Sequence, residues 1–184
     1  FKDNGGFDLI IGNPPYIKEY TERSAFDGVR HSYYYQGKMD LWYLFACNGL
    51  DILKEGAVLS FIATNNWVTN FGASKMRDKI IKDARILALI DFNNFKIFDS
   101  AGIQTMIMMF QKDSISDNYE FDYRKLNNNT DDLSNVADLL AKNNNGIHEI
   151  FSPIVERSKF KDKSLIFNNP VIENIINKIQ QVDS

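Results

Sequence analysis

The stretch Phe7–Ile17, which reads FDLIIGNPPYI, decides how the rest of the chain is interpreted. Its first part, Phe7–Ile11, is a short, mostly apolar run of the kind that forms a buried strand in a parallel sheet. Gly12 ends this strand, and the two prolines after Asn13 have fixed φ angles and no N–H to donate. The sequence therefore predicts a stiff, extended segment at the carboxyl end of a strand, where open α/β sheets bind ligands.

This segment carries groups that suit a planar aromatic amine. The Asn13 amide oxygen and the Pro14 carbonyl are two acceptors for the two hydrogens of one NH2 group, and Tyr16 offers a flat ring for stacking. Acceptors that take both hydrogens favour a pyramidal nitrogen with a free lone pair, which is electrostatic stabilisation without a titrating base. We therefore predict that Asn13, Pro14 and Tyr16 are catalytic. The alternative is a Pro-Pro turn with a packed tyrosine.

The stretch resembles the NPPY motif of amino-group methyltransferases that use S-adenosylmethionine, in its adenine-specific form. The wider chain is similar to the adenine DNA methyltransferases of restriction–modification systems, above all the type IIG enzymes that fuse nuclease, methyltransferase and specificity parts. The resemblance covers residues 1–112 well and the rest loosely. It implies that a methyl group passes from S-adenosylmethionine to the exocyclic amine of an adenine flipped out of double-stranded DNA, with Tyr16 stacking on that base.

The resemblance implies two further site residues. Asn13 and Pro15 would contact the methionine end of the cofactor, because the methyl donor must lie next to the amine. Phe110 stands where this family has an aromatic or apolar residue that packs edge-on against the target base. By strand alternation Phe110 shares a face with Met106 and Met108, so a place in the core is the alternative.

Length and composition predict one globular domain with a core. The chain has 184 residues, of which 44% are hydrophobic. A net charge of −3 argues against a self-sufficient nucleic-acid binder, but not against a catalytic part whose DNA contacts lie mainly elsewhere. Cys47 is the only cysteine, which excludes an intrachain disulfide and a cysteine metal site. We find no signal peptide and no apolar run long enough for a membrane, and we therefore expect a cytoplasmic protein.

Residues 18–39 are predicted to form a long loop in which basic and aromatic side chains alternate. Such a mixture suits phosphates and unstacked bases, and the alternative is a surface loop whose tyrosines pack back on the domain. After the loop, the apolar pattern predicts a helix at Asp40–Glu55 capped by Asp40 and ended by Gly56, a strand at Ala57–Ala63, a helix at Ala73–Ala84, and strands at Ile86–Phe92 and Gln104–Lys112. The polar cluster Thr64–Trp67 would lie beside the first motif and shape its pocket, or would cap the next helix.

The pattern of elements predicts an α/β fold. No helix separates the last two strands, so we expect them to pair as antiparallel neighbours. The resemblance implies the C-terminal half of a Rossmann-like S-adenosylmethionine-dependent methyltransferase sheet, with parallel strands and an antiparallel final hairpin. Beyond Lys112 we expect a partly helical extension, with a strand at Tyr119–Leu126, a helix capped by Thr130 or Asp131 and ending near Lys142, and a helix from Asn169.

The chain has no Gly-rich cofactor fingerprint. We therefore expect a fragment whose first strands lie upstream and which is inactive by itself. In this interpretation, residues 1–112 are the second half of the catalytic domain and residues 113–184 connect it to a target-recognition domain. A fused or associated restriction endonuclease and a specificity domain would be partners. Two other functions stay open: a protein-glutamine or RNA amino-methyltransferase, and an inactive remnant that binds DNA or a partner.

Overall fold

Helices and strands alternate through most of the chain. The structure is a computed structural model that describes residues 5–98, 102–113, 118–127, 132–143, 146, 148–160, 164–167, 169 and 178–179. The strands are β1 (Phe7–Gly12), β2 (Leu53–Thr64), β3 (Ala84–Asp91), β4 (Thr105–Lys112), β5 (Asn118–Glu120), β6 (Asp122–Leu126), β7 (His148–Phe151) and β8 (Ile154–Glu156). The helices are α1 (Trp42–Ile52), α2 (Ser74–Asp83), α3 (Leu133–Ala141) and α4 (Arg157–Phe160), and 3₁₀ turns cover Arg23–Phe26, Asn65–Val68 and Phe71–Ala73.

The main sheet has the order β1-β2-β4-β3-β6-β7. Strands β1, β2, β3 and β6 run in one direction, and β4 and β7 run in the opposite direction. The predicted α/β fold with a mostly parallel sheet is confirmed, and so is the antiparallel pairing of β3 with β4. The sequence did not predict that β4 also pairs with β2 and so lies between β2 and β3. Strands β5 and β8 form a separate antiparallel pair.

Apolar side chains cover both faces of the sheet. Because side chains alternate along a strand, Phe61 of β2 points to one face and Ile62 to the other. The face of Phe61 packs under α1 and α2 and holds the larger core cluster. The face of Ile62 holds a smaller cluster with Val136 and Leu139 of α3. The described residues therefore form a helix–sheet–helix arrangement, which buries both faces of the sheet around β3.

The junction between α1 and β2 differs from the prediction. Helix α1 ends at Ile52, short of Glu55, and β2 begins at the next residue, Leu53. Leu53 pairs with Phe7 of β1, so sheet hydrogen bonds replace the last predicted turn of the helix. Gly56 lies within β2 with a φ of 78° and does not end the helix as predicted.

The region after Lys112 also differs in detail. The predicted strand Tyr119–Leu126 is divided at Phe121 into β5 and β6. Phe121 is buried against the edges of the Tyr123 and Phe167 rings, and this packing separates the two strands.

Helix α3 confirms a helix ending near Lys142, and its N-cap is Asp132, whose carboxylate accepts a 2.9 Å hydrogen bond from the Ser134 N–H. The predicted caps Thr130 and Asp131, and most of the predicted helix from Asn169, lie outside the described residues. Strand β6 joins β3 in the main sheet, and the proposed boundary at residue 112 stays a prediction. Within the described ranges, no helix is both long enough and apolar enough to cross a membrane.

Gly72 lies where the turn before α2 contacts the end of the 18–39 loop. A Cβ at this position would be 2.1 Å from the Lys38 carbonyl oxygen and 2.7 Å from Met39 Cα. These are backbone atoms, which cannot move aside as a flexible side chain can. We expect Gly72→Ala to lower the free energy of unfolding by about 1–3 kcal/mol in urea denaturation. Gly28→Ala is the control, since a Cβ there meets nothing within 4 Å; equal losses in both variants would contradict the close contact.

Candidate functional site

The NPPY segment lies at the carboxyl end of β1. Strand β1 is parallel to β2, with Gly12 opposite Phe61, and it is an edge strand among the described residues. The Asn13 side chain is exposed, Pro14 is buried and Tyr16 is half-buried. The predicted catalytic residues Asn13, Pro14 and Tyr16 therefore lie together at an accessible edge of the sheet.

Tyr16 holds the Asn13 side chain in place. The Tyr16 hydroxyl lies 2.5 Å from Asn13 Oδ1 and 2.8 Å from the Ile62 carbonyl oxygen. A phenol has one proton and a carbonyl oxygen only accepts, so the proton that goes to Ile62 is not available to Asn13. The hydroxyl therefore donates to one of these two acceptors at a time, and Asn13 Oδ1, which has two lone pairs, retains the capacity to accept from another donor.

The phenol of Tyr16 acts as an anchor. Burial and the negative charge of Asp40 raise the pKa of Tyr16 to about 12. The hydroxyl therefore keeps its proton at neutral pH, and the ring packs against the larger core cluster. Tyr16 is placed to orient Asn13 and to present a ring, and it is poorly suited to act as a base.

The 18–39 loop is closed at its base directly after the motif. An antiparallel bridge pairs Lys18 with Asp40, and backbone hydrogen bonds of 2.8 and 3.0 Å lie on either side of it. The loop therefore leaves the sheet edge and returns to the same place, as in compact surface loops with close ends.

Glu19 organises the interior of this loop. Its carboxylate accepts hydrogen bonds from Arg30 Nη1 at 2.6 Å, from the Lys38 N–H at 2.7 Å, and from the Tyr35 hydroxyl. Burial acts to raise the pKa of Glu19, but these donors outweigh it and hold the pKa below its ordinary value. The loop is thus fixed by a charged centre.

The tyrosines of the loop divide into two groups. Tyr34 and Tyr35 pack back on the domain, and the Tyr34 hydroxyl donates to Asp51 at 2.7 Å. Tyr20 and Tyr33 are 73% and 83% exposed. Tyr34 and Tyr35 therefore follow the alternative in which the loop tyrosines pack on the domain. Tyr20 and Tyr33 remain accessible to a ligand.

Asp40 is a buried carboxylate without an ordinary hydrogen bond. It is 2% exposed, and neither carboxylate oxygen has a hydrogen-bond partner among the described residues. The cap position of α1 is taken by Leu41, one residue later than predicted, and the Asp40 carboxylate lies near the first backbone N–H groups of the helix. Burial raises the pKa of Asp40 to about 7, although the charge of Lys18 and the nearby N–H groups of Leu41 and Trp42 act to lower it.

The raised pKa of Asp40 predicts a pH-dependent stability. The folded protein holds this proton more tightly than the unfolded chain, so raising the pH from about 4 to about 7 lowers the free energy of unfolding. The change is up to about 4 kcal/mol, at about 1.4 kcal/mol per pKa unit. Asp40→Asn removes it. Urea denaturation should therefore show that the free energy of unfolding of the variant rises relative to that of the wild type as the pH rises. A difference that does not change with pH would contradict a buried carboxyl that titrates in this range.

The polar cluster after β2 forms a hydrogen-bonded chain. Trp42 Nε1 donates to Thr64 Oγ1 at 3.0 Å, and this hydroxyl lies 3.0 Å from Asn66 Oδ1. The Tyr43 hydroxyl approaches the same oxygen at 3.4 Å. Because Asn66 Oδ1 accepts from these hydroxyls, its NH2 group is turned away from them. Trp67 does not belong to the polar surface, since it is fully buried.

These segments enclose a cavity of about 240 Å³ beside the motif. We call it the Asp40 cleft, and it is lined by Lys18, Tyr20, Lys38, Met39, Asp40, Asn66 and Asn70. A neighbouring cavity of about 320 Å³ shares Lys18 and Asn66 with it and extends to the start of β4. Together they follow the carboxyl edge of the sheet.

Phe110 is not part of this edge. Its ring is fully buried, and it packs edge-on against Trp67 with 5.7 Å between ring centres. Phe110 pairs with Leu59, several residues before the carboxyl end of β2. The structure thus corrects the interpretation of Phe110 as a target-base contact in favour of the core alternative.

Residues 1–98, slightly more than half of the chain, match the family model described as Eco57I restriction-modification methylase. The chain belongs to the Eco57I restriction-modification methylase family. The match includes β1, the NPPY segment, the 18–39 loop, α1, β2, α2 and β3. The Asp40 cleft therefore lies within the part of the chain that matches the family model.

Curated relatives of this Eco57I-family chain are larger. The Type II methyltransferase M.HincII of Haemophilus influenzae is 27% identical over 121 residues, which are 63% of this chain and 24% of that protein. The Type II restriction enzyme and methyltransferase RM.Eco57I of Escherichia coli is 27% identical over 124 residues, which are 64% of this chain and 12% of that protein. The chain thus spans a quarter or less of these relatives.

Solved structures share the fold of the Eco57I-family chain. The methyltransferase subunit of a type I restriction-modification system from Streptococcus thermophilus has a TM-score of 0.54 at 17% identity, covering 84% of this chain and 36% of that one. A protein of Listeria monocytogenes described as a class I S-adenosylmethionine-dependent methyltransferase has a TM-score of 0.52 at 22% identity, covering 76% and 42%. The type IIG endonuclease BpuSI has a TM-score of 0.53 at 14% identity, covering 85% and 20%. The predicted Rossmann-like methyltransferase fold is confirmed.

Asn13 and Pro15, the residues expected to contact a methyl donor, follow β1 and not one of the other strands. Asn13 and Pro15 are both exposed, directly after the carboxyl end of β1. The exposed amide of Asn13 is the polar group that this end of the strand offers.

Sequence reasoning did not place Lys18, Asp40 and Asn66 in one cleft. Lys18 follows the motif by two residues, which is a usable signal. The other two residues carry no such signal, because a carboxylate before a helix is normally a cap and an asparagine after a strand is normally part of a turn.

Proposed function

We propose that this chain carries the amine-binding part of an adenine-specific DNA methyltransferase in a restriction–modification system. The complete protein would transfer a methyl group from S-adenosylmethionine to the exocyclic amine of an adenine flipped out of double-stranded DNA. The observation that carries the proposal is the exposed Asn13 amide at the carboxyl end of β1, whose oxygen accepts a hydrogen bond from the adjacent Tyr16 hydroxyl and keeps a second lone pair for a substrate amine. Membership of the Eco57I family supports the same reaction class.

The chain's own residues would bind and orient the amine. The Asn13 amide oxygen and the Pro14 carbonyl accept the two hydrogens of the NH2 group, and the Tyr16 ring stacks on the base. Bound S-adenosylmethionine supplies the methyl group, next to Asn13 and Pro15. Positive charge develops on the nitrogen as it is alkylated, and the two acceptors stabilise this charge. The nitrogen then loses a proton to solvent, so no basic side chain is required.

The family places this chain among proteins with further parts. RM.Eco57I combines a restriction enzyme with a methyltransferase, and this chain matches 12% of it. We therefore infer that the complete protein has a fused or associated endonuclease and a specificity domain that reads base edges. Such a domain would supply the positive charge for DNA contacts that a chain with a net charge of −3 does not offer.

The proposal is tested with the complete protein, S-adenosylmethionine carrying a labelled methyl group, and double-stranded DNA. We expect label in the DNA, and nucleoside analysis by mass spectrometry should identify N6-methyladenosine in its deoxy form. Label only in methylated cytosine would overturn the adenine specificity. Label only in RNA or in a glutamine of a protein substrate would replace DNA as the substrate.

A further inference from the structure

The Asp40 cleft has no role in the mechanism above, although it lies beside the motif. Asn13 and Pro14 do not line it. It is bounded instead by the second residue after the motif, the segment before α1 and the turn after β2, through Lys18, Asp40 and Asn66. A protein does not gain stability from leaving a carboxylate buried without partners, because the lost hydration is not replaced. The unpaired Asp40 is therefore a group that a ligand would satisfy.

The polar groups of the cleft offer hydrogen bonds of a definite kind. Asp40 contributes a carboxyl group whose two oxygens are covered from solvent and make no ordinary hydrogen bond, although the N–H groups of Leu41 and Trp42 lie near them. Asn66 contributes its NH2 group, since its oxygen is occupied by the Thr64 and Tyr43 hydroxyls. An acidic side chain accepts from the amino group of a nucleobase, and carboxamides pair with base edges. In its protonated form the Asp40 carboxyl offers one donor and one acceptor, which match the ring nitrogen and amino group of adenine or cytosine.

The rim of the cleft offers a platform and positive charge. The Tyr20 ring is 73% exposed, and the Lys18 ammonium lies 5.8 Å from its centre. Lys38 lies on the same rim and its side chain is exposed. An exposed aromatic ring with two flanking lysines is the combination that binds an unstacked base and its phosphate.

We propose that the Asp40 cleft binds a second unstacked nucleotide of the DNA substrate, beside the one held at Asn13, and reads the amino-bearing edge of its base. Asp40 and Asn66 contact the base edge, Tyr20 stacks on the base, and Lys18 and Lys38 contact the phosphate. This proposal rests on DNA being the substrate, as proposed above. It adds a specificity-determining site within the catalytic part of the protein.

The test measures DNA affinity, so it does not require methyl transfer. Duplexes that carry the protein's target site are prepared with one adenine or cytosine at a time replaced by a base without the exocyclic amine. The complete protein is compared with its Asp40→Ala variant by fluorescence anisotropy. At one position we expect the wild type to lose about tenfold in affinity when the amine is removed, while Asp40→Ala loses nothing there. Glu22→Ala, which removes an exposed acid of the same loop, should behave as the wild type.

A second variant avoids the core. Tyr20→Ala removes an exposed ring and should leave the thermal unfolding curve unchanged. At the same position, an abasic nucleotide should weaken binding by about tenfold for the wild type and much less for Tyr20→Ala.

The inference is overturned if, at every DNA position, the loss of affinity on removing the amine or the base is the same for the wild type, Asp40→Ala and Tyr20→Ala. In that case Asp40 would serve only the local fold, and Asp40→Ala would change stability without changing base preference. If the protein methylated adenine but neither variant changed the base dependence of DNA affinity, the proposed function would hold and only the second nucleotide site would be refuted. If the variants changed the base dependence of DNA affinity but no methyladenine were found, the cleft would still be a nucleotide-binding site and the proposed reaction would be wrong.

Discussion

Replacing Asn13 with alanine is expected to lower kcat of the complete protein by about 10²–10³-fold, because one of two preorganised groups that stabilise the reacting amine is lost. The side chain is exposed and its hydrogen-bond partner is the Tyr16 hydroxyl, so the fold should not change. Single-turnover methylation of a DNA duplex measures the loss. DNA affinity, measured separately, should fall by much less than kcat, since most contacts that position DNA go to phosphates.

Asn118→Ala is the matched control for this variant. Asn118 is also exposed, but it lies in the β5–β8 pair. Its replacement should leave methylation unchanged. If Asn13→Ala retained the wild-type rate, the acceptor-pair mechanism would be wrong and the NPPY segment would be a structural turn. If both variants lost activity equally, the loss would reflect folding.

Replacing Trp67 with alanine is expected to lower the free energy of unfolding by about 3–5 kcal/mol, as for other buried tryptophans. The ring is fully buried and packs edge-on against Phe110. Its Nε1 donates to the Met106 sulfur at 3.2 Å, so the truncation leaves both a cavity and a lost hydrogen bond. Urea denaturation measures the change.

Phe71→Ala serves as the control for the Trp67 variant. Phe71 is an aromatic residue close by in sequence, but it is 64% exposed. Exposed positions of this kind usually change stability by no more than about 0.5 kcal/mol. Similar losses in the two variants would show that Trp67 is not the centre of this core.

The order of the main elements could be predicted from local patterns. The apolar run of β1, its abrupt end at Gly12 and the stiff NPPY segment place Asn13 at a strand end, and the structure has them there. The antiparallel pairing of β3 with β4 follows from the absence of a helix between them. These features depend on neighbours in the sequence, which periodicity and turn residues report directly.

Phe110 shows where local patterns fail. Strand alternation gives the face to which a side chain points, but not its depth along the strand. Only the register of β4 against β2, with Phe110 opposite Leu59, places the ring in the core and away from the carboxyl edge. Similarly, the end of α1 at Ile52 depends on pairing of Leu53 with β1, which a helix pattern does not contain.

The sequence by itself thus determined the α/β class, the position of Asn13 at a strand end and the chemistry that its neighbours offer. Only the tertiary structure decided that Lys18, Asp40 and Asn66 share one cleft, because they come from three segments that meet through strand pairing and loop closure. It also decided that Asp40 is buried without partners, since burial depends on what packs over a side chain. The type of a residue predicts which hydrogen bonds its side chain can make. Long-range packing decides which of its donors and acceptors have no partner in the protein and can bind a ligand.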